Sequence, residues 1–199
     1  LSAVVNMFSQ TETLNITGAC LQSIGTAFVA IAETEYVLNE TPIDNLIIIG
    51  NSFQAAGNSL QGFAGIIQQP ASPPLSTVGS FTQASGNVTE IYSASLNIMN
   101  LNEQSQNYNI LGSSLQSIGA ALEASSEIQQ QDPYSLEITI GYSLQSLGAG
   151  LEAIGGIYVK KDKPKIGNYI TAIGSYLQFI GATIAAIAIT KQALLLSPK

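Results

Sequence analysis

The apolar residues of this chain recur with a period of seven, not two. An eight-residue unit, written most clearly as Gly112-Ser-Ser-Leu-Gln-Ser-Ile-Gly119, occurs six times in variant form. The copies are Gly18–Gly25, Gly50–Gly57, Gly79–Gly86, Gly112–Gly119, Gly141–Gly148 and Gly174–Gly181. With each closing glycine at position a of a heptad, large apolar residues fall at d (Leu21, Phe53, Leu115, Leu144, Leu177) and at g (Ile24, Ile118, Leu147, Ile180). That stripe is the pattern of an amphipathic helix and not of a strand. Small residues repeat at a, and every copy carries a glutamine three places before its closing glycine: Gln22, Gln54, Gln83, Gln116, Gln145 and Gln178.

Glycine inside a helix costs about 1 kcal/mol relative to alanine, so twelve of them would cost roughly 12 kcal/mol. Close approach of two helix backbones along a glycine-lined seam is the compensation expected, through dispersion and weak Cα–H···O contacts. The glutamines flank this seam, where an uncharged amide can hydrogen-bond to a neighbouring helix. Closing glycines stand alternately further apart and closer together along the chain, which groups the six helices into three hairpins. The fold predicted is all-α: six antiparallel helices in three tandem hairpins, solenoid-like or a bundle. Residues 1–13 read as a lead-in arm or the start of the first helix, and one domain covers 14–196, with hairpins at 14–68, 76–129 and 137–196. Connections within hairpins are expected near 33–44, 97–107 and 157–166. Pro70, Pro73, Pro74 and Pro133 break the chain between hairpins. The third copy, with Thr82, Ser85 and Thr89 at usually apolar places, is the weakest helix by pattern.

Composition narrows the function. Charged residues make up only 10% of the chain, where an ordinary soluble domain has about 25%. Such a chain is expected to cover much of its surface with copies of itself or with lipid. The net charge is −7 and the sequence has no arginine or histidine, which argues against binding nucleic acid. Cys20 is the only cysteine, and no histidine is there to activate it. Glu90, Glu123 and Glu152 share one repeat position, four past the closing glycine, and read as a solvated helix edge or as partners of the glutamine row. No spacing suggests a catalytic site, a cofactor or a metal. The start at Leu1 in place of Met reads as a processed product.

The tandem Gly-x-x-Leu-Gln-x-Ile-Gly units, with Leu-Glu-Ala-Ile following, resemble uncharacterised repetitive proteins of spore-forming bacilli. The resemblance implies a structural role linked to sporulation, in the spore or outside the cell. On these grounds the first expectation is a structural, self-assembling homopolymer: a fibre, sheet or coat layer. Its end helices would be uncapped, with Ile180 and Ile184 on an assembly face. The acidic connection (Glu33, Glu35, Glu40, Asp44) of one copy would meet the basic connection (Lys160, Lys161, Lys163, Lys165) of the next. The alternative is a membrane-embedded or pore-forming helical protein. Long uncharged runs such as Ile166–Thr190 favour it. Mid-helix glutamines and the absence of a readable positive-inside asymmetry stand against it.

Overall fold

Ser9 starts the first helix through a capping box: its hydroxyl accepts from the Glu12 amide at 3.2 Å, and the Glu12 carboxylate accepts from the Ser9 amide at 2.7 Å. The computed structural model of the chain describes residues 8–39, 42–72, 74–130 and 132–196. Six helices run through them: α1 (Gln10–Asn39), α2 (Asp44–Gln68), α3 (Leu75–Ile98), α4 (Asn102–Glu127), α5 (Ser135–Lys160) and α6 (Pro164–Leu196). The degenerate third copy is helical throughout α3. Its Thr82, Ser85 and Thr89 hydroxyls each donate to the carbonyl four residues back. Pro70 follows the end of α2, and Pro74 and Pro133 precede the starts of α3 and α5. Pro73 lies outside the described residues.

The connections within hairpins are far shorter than the charged stretches suggested. Glu33 and Glu35 belong to α1, Asp44 opens α2, Lys160 closes α5 and Lys165 lies in the first turn of α6. The reversals are tight because Asn100 and Asp162 adopt left-handed conformations, at φ 61° and 57°. Behind each, the next amide reaches back six-to-one: Leu101 to the Leu96 carbonyl and Lys163 to the Tyr158 carbonyl, both at 3.0 Å. Asn and Asp tolerate this conformation better than other non-glycine residues, so no glycine marks these two turns.

Within each hairpin the twelve framework glycines face one another in six pairs: Gly18 with Gly57, Gly25 with Gly50, Gly79 with Gly119, Gly86 with Gly112, Gly141 with Gly181, and Gly148 with Gly174. A Cβ at any of them would come to 3.0 Å or less from the facing carbonyl oxygen. A seventh pair, Gly155 with Gly167, extends the α5–α6 seam, and at the matching place in α3–α4 the Ser93 hydroxyl donates to the Ser105 carbonyl at 2.8 Å. Hairpins meet one another through side chains instead. Phe81 fills the space over Gly62, and Ser117 and Ser146 exchange hydroxyl-to-carbonyl bonds of 2.8 and 2.9 Å.

The open array with exposed end helices is corrected here. α6 packs along α1, as α2 does on α3 and α4 on α5, so the three hairpins close into a ring. Ser23 and Thr183 hydroxyls bridge this last interface at 2.9 Å, and Thr34 donates to the Tyr176 hydroxyl at 3.2 Å. The rotation from one hairpin to the next brings the third back to the first, and no end face remains for head-to-tail stacking. Ile184 is half-buried and Ile180 is exposed on the outer wall of the ring. The C-terminal end of α1, with Glu33 and Glu35, and the start of α6, with Lys165, lie at the same end of the ring. Glu40 lies outside the described residues, as do residues 1–7 of the expected arm.

Candidate functional site: the polar axis

Helix direction alternates around the ring, and each repeat glutamine sits between the two glycine crossings of its hairpin. All six therefore lie at one height. Gln22, Gln54, Gln83, Gln116, Gln145 and Gln178 are all buried, at 1–4% exposure, and form a belt around the axis of the ring. They flank the glycine seam as expected, with Gln54, Gln83, Gln116 and Gln178 lying against the glycines of the facing helix, and Gln83 and Gln178 donate across it to Glu123 and Glu152. Gln22 Nε2 donates to Gln83 Oε1 at 3.2 Å, and Gln116 Nε2 to Asn51 Oδ1 at 3.5 Å. Both bonds join helices that are not neighbours in the ring, so they cross its interior. A third crossing bond runs from Gln61 Nε2 on α2 to the Tyr142 hydroxyl on the opposite helix α5, at 3.0 Å.

The glutamates beyond the belt are buried, which corrects the solvated-edge reading; the hydrogen bond to the glutamine row is present in two of the three. Because α3 and α5 run opposite to α4, one repeat position places Glu90 and Glu152 above the belt and Glu123 below it. Glu90 accepts from the Ser113 hydroxyl at 2.6 Å and from Asn109 Nδ2 at 2.9 Å. Glu152 accepts from the Ser175 hydroxyl and from Gln178 Nε2, both at 2.7 Å. Glu123 accepts from the Ser80 hydroxyl and Gln83 Nε2. Each carboxyl oxygen thus receives one neutral donor. Of the lysines in described residues, Lys160, Lys161, Lys163 and Lys165 lie at the upper end, and Lys191 stands over the Tyr134 ring at the lower end.

Two vestibules open toward the belt. The lower one, of about 590 Å³, is lined by Asn15, Gln61, Ser80, Glu123, Glu127 and Tyr142 among others. The upper one, of about 110 Å³, includes Glu33, Glu90, Asn109 and Thr171. The upper one narrows at the belt to a space of about 10 Å³ at Gln54, Gln116, Glu152 and Gln178. The axis can hold water and small cations, since its free groups are mainly oxygens and amides and its ionisable side chains are acidic.

The outer wall has the opposite character. Ile24, Ile31, Ile118, Leu147, Ile154, Ile180 and Ile187, at g positions of four of the six copies, are 45–56% exposed; the second and third copies have Ala56 and Ser85 before their closing glycines. The buried apolar residues are, with few exceptions, alanines. The serines that hold the glutamates were missed from sequence although a signal was there. Ser80, Ser113 and Ser175 directly follow opening glycines, and each faces the copy that carries a glutamate. Where the facing copy has Gln61, Val29 or Ala185, the residue is Ala19, Asn51 or Tyr142. Cys20 is exposed on the outer wall, one turn or less from the height of the belt.

The chain belongs to a family of unknown function, DUF6944, whose model matches residues 13–186. No curated protein matches it, and no solved structure does.

Proposed function

We propose that this chain is an integral membrane protein whose six helices cross the bilayer as a closed ring around a polar axis. The observation that carries the reading is the inversion of the two walls. Amides and carboxylates are enclosed, while large apolar side chains stand outside on every helix: isoleucine, leucine and phenylalanine on most, and Val78, Val88 and Tyr92 beside Ser85 on α3. An apolar surface that runs all the way round suits a solvent better than a single partner. From sequence the membrane ranked behind self-assembly; ring closure reverses that order, because the end faces that a filament needs are gone.

Three further features support it. The shortest helix has 24 residues, about 36 Å, against a hydrocarbon core of about 30 Å. Charged side chains other than those facing the axis lie within two turns of a helix end or in the connections. Outward hydroxyls such as Ser52, Ser59, Ser114 and Thr190 donate to the carbonyl four residues back, so these four donors are not left free toward lipid. α1 and α6 are long and apolar enough to span by composition. The other four are carried by the ring, their polar faces turned to the axis. Four lysines gather at the α5–α6 turn while the lower connections hold none; this difference between the two ends emerges only once the helices are paired, and it favours a cytoplasmic upper end.

Cys20 provides the test. In membranes carrying the protein, a water-soluble maleimide should leave Cys20 unmodified until detergent is added, and the protein should resist carbonate extraction. Rapid labelling in intact membranes, or a monodisperse monomer in plain buffer, would sink the reading. The second reading, lateral packing of rings into a sheet through their outer walls, is favoured by one observation: only two of the six helices are apolar enough on their own. It predicts particles of many copies in plain buffer.

A further inference from the structure

We infer that the axis is a binding path for monovalent alkali cations, shut in this conformation by the glutamine belt, with Glu90 and Glu152 above it and Glu123 below as its anionic sites; this rests on the membrane reading above. The three carboxylates are buried and held by neutral donors. Ionisable groups in the interior of a membrane bundle mark ion or substrate routes.

A second observation is independent of the acids. Gln61, 6% exposed, lines the lower vestibule beside Glu123, and its Oε1 has no hydrogen-bond partner. Asn58 and Asn87 are 0% exposed and Gln145 is 1% exposed, yet neither the nitrogen nor the oxygen of any of these amides is bonded. Buried polar groups are normally satisfied. Here unbonded amide oxygens sit on three different helices, and one of them, Gln61 Oε1, shares the lower vestibule with Glu123. Amide, hydroxyl and single-carboxylate oxygens are the ligands that replace the water shell of an alkali cation. Divalent ions want several carboxylates together, and among the described residues no group of three or more such ligands is placed to hold a metal.

The closed state follows from the same geometry. The upper vestibule narrows at the belt to a space of about 10 Å³, no more than the least that admits one water. Asn51 and Gln116, joined by a hydrogen bond, line that space, and the Gln22–Gln83 bond crosses the interior at the belt as well. A cation that has reached either set of glutamates can cross only when the belt opens.

The experiment uses the full chain reconstituted into phosphatidylcholine–phosphatidylglycerol vesicles, with K+ flux read by a voltage-sensitive dye. The variant Gln22→Ala/Gln116→Ala should pass K+ at least about tenfold faster than the native chain, without passing chloride, and adding Glu123→Gln should reverse most of the gain. Flux no greater than in protein-free vesicles, from carbonate-resistant protein, overturns the path and leaves the membrane reading standing. Protein extracted by carbonate overturns both. Passage of protons without K+ or Na+ overturns the assignment to alkali cations. Since belt variants can misfold, a second measurement uses the native chain in detergent: K+ in place of choline should raise its melting temperature, and Glu90→Gln/Glu152→Gln should abolish the shift. Equal melting of the native chain in the two salts counts against the site.

Discussion

Gln145 and Leu147 stand two residues apart on α5, yet the amide is 1% exposed and the leucine 56%. Gln116 and Ile118, Gln22 and Ile24, and Gln178 and Ile180 repeat the contrast on α4, α1 and α6. Two residues along a helix are about 200° apart, so each pair samples the inner and outer walls at nearly the same height. In a water-soluble ring the two would exchange places, since burial of an amide without partners costs about 1–3 kcal/mol and exposure of a leucine forfeits about 1.5–3 kcal/mol. The arrangement fits the proposed setting, in which the outside is the drier side.

The largest effect should come from the outer wall. Ile118→Lys together with Leu147→Lys places two charges at the height of the belt, facing outward. In a bilayer each costs about 2.5–3.5 kcal/mol at the midplane, and the protein should vanish from the carbonate-resistant fraction. In a water-filled setting the same changes would raise solubility and leave the fold intact, which would invert the meaning of the two walls.

A smaller effect is expected where the walls are joined. Gly119→Ala directs a methyl group at the Gln83 backbone and the Gly79 carbonyl, and Gly148→Ala directs one at Gln178 and the Gly174 carbonyl. Backbone cannot yield as a side-chain tip does. Overpacking of about 1–3 kcal/mol should outweigh the roughly 1 kcal/mol gain in helix propensity, and the melting temperature should fall for each. A rise in both would show that the helices do not cross this closely.

The smallest effect sharpens the comparison from inside. Gln145 has no hydrogen-bond partner on either amide atom. Gln145→Leu removes an unmet demand while keeping most of the volume, so thermal stability should stay level or rise by about 1 kcal/mol. Leu147→Gln, two residues away, should lower it. A marked loss for Gln145→Leu would mean that the belt amides are bonded through water and are needed for the ring itself.

Much of the fold was legible from residues alone. Glycine pairs at seven-residue steps implied seams, and alternating repeat spacing implied hairpins. The helix ends were less legible: α1 runs on to Asn39 through Glu33-Thr-Glu-Tyr, because nothing in that segment breaks a helix and its charges only looked like a loop. The glutamates were placed on a wet edge because charged residues are rarely buried without a partner. The serines that satisfy them lie on another helix, out of reach of any local pattern.

What the sequence by itself determined is the helix count, their antiparallel pairing and the shared register of glycine and glutamine, since these follow from periods of seven within one chain. What only the tertiary structure decided is closure, and with it which wall is inside. Period and amphipathicity define two faces for every helix but do not say which one turns toward the axis; the usual default assigns the polar face to water. Six helices curving until α6 meets α1 turned the glutamine face inward. Curvature is a sum over all the interfaces, set by Phe81 over Gly62 and by the Ser117–Ser146 exchange as much as by the glycines, so no single repeat contains it.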